Sequence, residues 1–503
     1  MRKLIFCTML LALGPLVHAQ VQVNPVTGFG HNNLTFQGTF ALQATPTFQY
    51  SAAWQAQSAI PTVPLHRDAN NPASTLPISE AYPFFLAVTL ALAWFVGNVR
   101  YLFGAIIHIL PGANFGITKD YTYTPSVSVL LPCFNEGRHV YDTIVSILQS
   151  DYPALDVIAT DDCSSDDSWY WIQKAAADFP NVKAVRNQEN VGKTRTILNA
   201  CERSESEYVI IVDSDTLLGT NAIREMLSCF AHDPLMGAVG APANVKNNNE
   251  NALTSFQTYL YYLGFRLAKI PECLAKTVGC IGGYSLTIRK RLLLEIKPDL
   301  DARNWFGTKI RDGEDRFITH QVLLHGYKTY VNMDADVWTI VPNNFRSYWL
   351  QQLRWRRSYT RDFSFTVRTL WRHVRDLHPN VSCHRSWLAK CFAILGWKYT
   401  YVLTPVVTVL GVIQVFALFF LSPFNWFDFR MSVLYIGTAF LVIWLAHIYH
   451  PDQALENPLR LFMYLTWWIV NNLFLSPLAY LTLDSGGWGN RETTRSPQPQ
   501  EMN

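Results

Sequence analysis

Apolar residues are unevenly distributed along these 503 positions. Residues 1–20 open with Arg2 and Lys3, continue through an apolar run and finish on His18, Ala19 and Gln20. A basic start, a short apolar stretch and a small residue near its end describe a secretory signal peptide, with a short uncleaved anchor as the alternative. Residues 21–79 are rich in Gln, Asn, Thr, Pro and Ala, nearly free of charge, and show no period of 2 or 3.6. That pattern predicts a loosely ordered extracytoplasmic segment. Residues 81–97 then carry no charge at all. At about 1.5 Å per residue, about 17 to 20 residues cross the hydrocarbon core, so a transmembrane helix is expected within residues 80–110. Arg100 follows it closely and turns the next region toward the cytoplasm.

Across residues 117–340 the pattern changes to short β-branched runs, at 127–131, 156–161 and 209–213, each ending in a polar turn and separated by helical stretches. Alternation of this kind predicts a cytoplasmic α/β domain with a mostly parallel sheet. Residues 341–390 read as amphipathic interfacial helices. Arg346, Arg354, Arg356, Arg357, Arg361, Arg368, Arg372, Arg375, Arg385 and Lys390 there are opposed only by Asp362 and Asp376, a basic collar suited to anionic lipid head groups. Within residues 391–450, the stretches 397–421 and 431–449 are long enough to span, joined by a short connection containing Pro423. Residues 459–491 begin with another apolar stretch. Asn471, Asn472 and Pro477 interrupt it, which leaves both a spanning and an interfacial helix open.

Composition sharpens this picture. Charged residues make up 16% and hydrophobic ones 49%, against about 25% charge in ordinary soluble domains, so a disordered chain is excluded and a membrane-associated one favoured. Nine cysteines without C-x-x-C clusters exclude a disulfide scaffold and a zinc ribbon. The net charge of +3 says little by itself about partners. A nucleic-acid role is poorly supported, because the basic stretch abuts the apolar helices and the acids cluster where phosphate would otherwise bind.

Ligands of open α/β sheets bind at the carboxyl ends of strands, so acids placed there carry the candidate chemistry. After residues 156–160 come Asp161 and Asp162, followed by Cys163, Ser164, Ser165, Asp166, Asp167 and Ser168, a small polar run that turns tightly and accepts hydrogen bonds. After residues 208–212 come Asp213 and Asp215, a D-x-D spacing that brings two hard oxygens to one divalent cation and its diphosphate. Further on stand Gly313, Glu314, Asp315 and Arg316, then Gln351, Arg354 and Trp355 in a Q-x-x-R-W pattern. Arg354 offers a fork for diphosphate oxygens, and Trp355 a flat apolar face for a sugar ring.

In this order, with Pro132 to Gly137, Asn190 to Lys193, Cys280 and a W-G-N-R element at Trp488 to Arg491, the motifs resemble the family 2 membrane-embedded processive glycosyltransferases. Hyaluronan synthases and the chitin-oligosaccharide synthases of nodulation-factor assembly are the most similar branch. The resemblance covers about residues 126 to 491. The chain departs from the family pattern in two places: Gly282 and Tyr284 replace Ser and Pro of an S-G-P pattern, which bears on acceptor and donor specificity, and Asn490 replaces Thr in W-G-T-R.

The resemblance implies an α/β nucleotide-diphospho-sugar transferase (GT-A type) domain with transmembrane and interfacial helices, transferring sugar with inversion. It implies Asp315 as general base, with Glu314 competing on chemistry alone and Arg316 a local ion-pair partner. Trp355, Gln351 and Cys280 are implied for the acceptor. Glu136, Asp161, Asp162, Lys193, Asp213 and Arg354 are implied for the nucleotide-sugar, with Asp162 on the uracil, and Asp215 with Asp213 for Mg²⁺ or Mn²⁺. The partners implied are a UDP-sugar donor, a growing polysaccharide, membrane lipid and either a homo-oligomer or an export partner, at the inner (plasma) membrane. The expected product is an exported polymer of N-acetylglucosamine, with or without glucuronate. Alternatives are a cellulose-like or non-processive membrane glycosyltransferase and, from another class, an inactive channel or sensor.

Overall fold

The computed structural model describes residues 117–310, 312–375 and 470–484, with Gly104, Ile107 and Val409 as isolated positions. The signal peptide or anchor, residues 21–79, the helices expected within 80–110 and 391–450, and the W-G-N-R element otherwise lie outside the described residues. Among the described residues, no helix is long and apolar enough to cross a membrane.

In chain order, β1 (Val127–Cys133), α1 (His139–Leu148), β2 (Leu155–Asp161), α2 (Ser168–Asp178), β3 (Val182–Arg186), α3 (Lys193–Arg203) and β4 (Tyr208–Ile211) alternate. Next come β5 (Thr216–Leu218), α4 (Ala222–Ser228), β6 (Met236–Gly240), β7 (Ala243–Val245), α5 (Ala252–Tyr261), a π-helical turn at Tyr262–Leu267, and α6 (Lys269–Leu274). The domain continues with β8 (Leu286–Arg289), α7 (Lys290–Asp301), β9 (Asn304–Trp305), β10 (Thr308–Lys309), α8 (Glu314–Leu324), β11 (Lys328–Val331) and β12 (Val337–Thr339). A 31-residue helix, α9 (Phe345–Arg375), follows; α10 (Ser476–Leu481) ends the described chain, preceded by a π-helical turn at Asn471–Leu475.

The main sheet has the order β11-β6-β8-β4-β1-β2-β3. Every residue of β1 is buried, the continuous apolar run of a strand covered on both faces rather than the alternation of a half-exposed one. On one cover, α1 turns Val140, Thr143, Ile144 and Ile147 inward at helical spacing. Each such buried isoleucine contributes about 1.5–3 kcal/mol. A small sheet, β5-β12-β7, flanks the main one.

Two features of this topology position the site. The chain adds β2 and β3 on one side of β1 and β4 on the other, so the strand order reverses between β1 and β4 and opens a crevice beyond their carboxyl ends. The expectation of a mostly parallel sheet holds except for β8, which runs antiparallel between β4 and β6. An antiparallel strand begins where its parallel neighbours end. Leu286, the first residue of β8, therefore pairs with Ile211, the last of β4, and residues 280–285 are delivered to the crevice.

The region expected as several interfacial helices is, over its described part, the single helix α9, about 46 Å long at 1.5 Å per residue. Among the described residues of the basic collar, Arg361 turns inward: its side chain is 3% exposed and paired with Asp312. A buried guanidinium needs a carboxylate partner, and residues 303–312 supply it only after the chain has folded back.

Candidate active site

The nucleotide side of the crevice is built by two loops laced together. Asn135 and Gly137 take positive φ angles of 54° and 55°, turning the chain sharply after β1. The freed backbone amides are collected by the loop after β2: Asn135 N donates to Ser164 Oγ, and Glu136 N and Gly137 N to Ser168 Oγ. Ser165 N returns a bond to Asn135 Oδ1. The small polar residues after β2 thus act as acceptors for the turn that presents Glu136.

The adjacent Asp161 and Asp162 have separate duties. Asp161 is fully buried, 3.0 Å from Arg186 Nε, and accepts from Ser164 N. Burial raises its carboxyl above the usual range despite the arginine. Asp162 Oδ1 accepts from Asn187 Nδ2 and Val191 N, and Oδ2 from Gly192 N, each at 2.9 Å. The expected uracil contact thus meets a carboxylate already holding the loop that starts α3. Gly192 adopts φ 85° there and leaves Lys193 as the first helical residue.

Lys193 reaches across the crevice. Its ammonium is 2.5 Å from Asp213 Oδ1, just past the end of β4, and 2.7 Å from Glu314 Oε1 at the start of α8. Both partners raise its pKa against the effect of burial, so it is a buried cation bridging two carboxylates. Gly283 packs on this bridge: a Cβ there would lie 3.1 Å from Lys193 Nζ and 3.3 Å from Asp213 Oδ1. Gly283 N also donates to Asp315 Oδ2 at 3.3 Å. Burial and the neighbouring Glu314 push the Asp315 carboxyl up, whereas Lys193 holds Glu314 below its usual range despite burial. Two adjacent acids driven apart in this way can take separate roles, the raised one accepting a proton.

Helix α9 supplies the third wall. Gln351, Arg354, Trp355, Ser358 and Tyr359 line the crevice, and their spacing of three and four places them on one helical face. Trp355 stands against Tyr261 and Phe265, with ring centroids 6.0 and 6.1 Å apart, and Phe265 against Tyr284 at 5.6 Å. The Arg316 guanidinium, expected in an ion pair, stacks 3.8 Å from the Tyr359 ring. The two departures at residues 282 and 284 are physically one: a Cβ on residue 282 would lie 2.1 Å from the Tyr284 ring, so this tyrosine requires Gly282. Ile281 N donates to Thr319 Oγ1 and anchors the segment to α8. Beside it, burial pushes the Cys280 thiol up to about 11; it lines the cavity as a neutral group.

Together these walls enclose a cavity of about 1160 Å³. Every site residue expected from the sequence lines it except Asp161, which supports the wall from behind. Beyond the residues marked by the sequence, Tyr261, Phe265, Asp312 and Ser358 line it too, beside Tyr284 of the altered S-G-P segment. Tyr261 and Phe265 are four apart in an aromatic-rich stretch, the one signal that could have marked them. For a divalent cation, Asp213 and Asp215 provide hard oxygen donors at the cavity wall, a set that fits Mg²⁺ or Mn²⁺ completed by phosphate and water. Among the described residues, no three His, Cys, Asp or Glu converge as a complete metal cage.

Residues 125–358 match the family described as "Glycosyltransferase like family 2". The chain is 32% identical over 241 residues to an N-acetylglucosaminyltransferase of Mesorhizobium japonicum, covering 47% of this chain and 57% of that one. It is 27% identical over 289 residues to a poly-beta-1,6-N-acetyl-D-glucosamine synthase of Staphylococcus aureus, covering 57% of this chain and 67% of that one. The chain spans about half the length of the N-acetylglucosaminyltransferases it matches, 51% to 57%. A solved structure, mannosyltransferase PcManGT from Pyrobaculum calidifontis in complex with GDP-Man and Mn²⁺, aligns with a TM-score of 0.54 at 18% identity, over 80% of this chain and 99% of that one. That likeness is one of fold. Residues 125–358 are thus similar to family 2 glycosyltransferases, and they are built on a GT-A-like α/β fold with a mixed sheet.

Proposed function

We propose that the protein is a hexosyltransferase of the inner membrane that takes N-acetylglucosamine from UDP-N-acetylglucosamine and adds it, with inversion, to a growing polysaccharide that it also exports. The observation that carries this reading is the convergence, in one crevice, of Lys193, Asp213, Asp215, the Glu314–Asp315 pair and the Gln351–Arg354–Trp355 face. The names of the relatives favour N-acetylglucosamine as the sugar. The apolar segments within 80–110 and 391–450 and the basic residues beside them favour a membrane location.

In this reading the acceptor stacks on Trp355, and Asp315 takes the proton of its attacking hydroxyl. The acceptor oxygen forms a bond to C1 as the bond from C1 to the diphosphate breaks, and UDP leaves with the electron pair. Lys193 and Arg354 contribute positive charge where negative charge develops on the diphosphate. Mg²⁺ or Mn²⁺ held by Asp215 and Asp213 would supply further charge neutralisation when bound. Glu314, kept anionic by Lys193, holds that lysine in place.

The test uses membranes containing the full chain, incubated with UDP-N-acetylglucosamine and UDP-glucuronate singly and together, with EDTA and with added Mg²⁺ or Mn²⁺. The expected result is metal-dependent polymer from UDP-N-acetylglucosamine alone. Incorporation only with both donors, in a product cut by hyaluronidase, would replace this reading with hyaluronan synthesis. No incorporation from either by folded protein would overturn sugar transfer.

A further inference from the structure

We propose that Arg361 is a positioning residue that ties the start of α8, and with it Asp315, to the docked C-terminal segment 470–484; the inference rests on the sugar-transfer reading above. Arg361 Nη1 donates to Asp312 Oδ1 at 2.5 Å, and both side chains are 3% exposed. From the same guanidinium, Nε donates to the backbone carbonyl of Leu483 at 3.1 Å. One side chain on α9 thus joins the turn three residues before the proposed base to a segment 122 residues further along the chain.

The turn it holds is tightly bounded. Gly313 caps α8 at φ 71° and lies against Ser358 of α9, where a Cβ would come within 2.2 Å of Ser358 Oγ. Leu483 also packs with Trp305 and Ile310 in a small apolar cluster, and Arg303 Nη2 donates to the Ile310 carbonyl at 3.0 Å. The C-terminal segment therefore meets residues 303–312 twice, once through the Leu483 side chain and once through Leu483 O, Arg361 and Asp312. A guanidinium presents its N–H groups in a fixed fork and serves two acceptors at set angles, which a lysine ammonium cannot do. Because displacing a catalytic group by about 1 Å can reduce rate about 100-fold, loss of this tether should be felt at Asp315 rather than in donor binding.

The test compares four variants of the full chain in membranes: Arg361→Lys, Arg361→Met, the double variant Asp312→Asn with Arg361→Met, and Arg357→Met. Arg357 Nε donates to Thr482 Oγ1 at 2.9 Å, so it contacts the same segment at a residue other than Leu483. The double variant removes both members of the buried pair together and guards against simple misfolding of Arg361→Met. The expected result is a loss of kcat of about 10- to 100-fold in Arg361→Lys and in the double variant. The KM for UDP-N-acetylglucosamine and the thermal shift on adding UDP should stay near the parent's, and Arg357→Met should keep the parental kcat. Parental kcat in both Arg361→Lys and the double variant would overturn the proposal, as would an equal loss in Arg357→Met. Absence of transfer by the parent itself would instead overturn the sugar-transfer reading.

Discussion

Glu314 Oε1 lies 2.7 Å from the ammonium of Lys193, and this pair separates the behaviour of two neighbouring carboxylates. Burial opposes ionisation of both. For Glu314 the attraction of Lys193 and its hydrogen bond outweigh burial, whereas for Asp315 burial and the charge of Glu314 add together. Lys193 thereby acts on the proposed base through the acid beside it as well as directly.

Replacing Lys193 by Met should move the acid limb of the kcat/KM profile to higher pH. The ammonium attracts both carboxylates; without it the adjacent pair as a whole binds its protons more tightly and shares one to a higher pH, even though a protonated Glu314 no longer raises Asp315. A pH–rate profile of membranes with the parent and Lys193→Met checks this; an unmoved acid limb would count against the electrostatic link.

Asp315→Asn should lower kcat by about 10²- to 10⁴-fold, the range ascribed to a positioned general base, and leave UDP binding in place. Glu314→Gln should lose far less, since Glu314 meets Lys193 rather than the acceptor in this reading. Equal losses in the two would remove the distinction between the acids.

Gly313→Ala should destabilise the protein by about 1–2 kcal/mol from the left-handed conformation alone, and further through the 2.2 Å approach to Ser358 Oγ. Adding Ser358→Gly should recover only the steric part. Thermal denaturation of the single and double variants measures both; full recovery would mean the backbone conformation relaxes.

Asp162→Ala should lower the melting temperature and expose residues 187–193 to proteolysis, because three donors lose their acceptor, at about 1–3 kcal/mol for each that stays buried. Glu136→Ala should raise the donor KM, since Glu136 lines the cavity. A melting temperature unchanged by Asp162→Ala would return that residue to nucleotide contact alone.

Trp355→Ala should raise the KM for an N-acetylglucosamine oligosaccharide acceptor about tenfold, which corresponds to about 1.4 kcal/mol of lost binding. Hydrolysis of the donor by water should change little. Trp355→Phe keeps a ring against Tyr261 and Phe265 and should lie between. An acceptor KM unaffected by either substitution would argue against the stacking role.

What the sequence by itself determines here is local. The apolar runs of β1, β2 and β4 read directly because each is short, β-branched and ended by polar residues, and the acids after them fall at strand ends by chain order alone. The Q-x-x-R-W spacing sets Gln351, Arg354 and Trp355 on one face of any helix that contains them. Tertiary structure decided what those residues meet. No periodicity tells that β8 enters the sheet antiparallel and brings Gly283 onto Lys193, or that Asp162 is consumed by backbone amides 29 and 30 residues away. Nor does a run of arginines tell which one turns inward. Arg361 differs from its neighbours because Asp312 lies beside it only once α8 and α9 have packed, and a charge is buried only where its partner is already waiting.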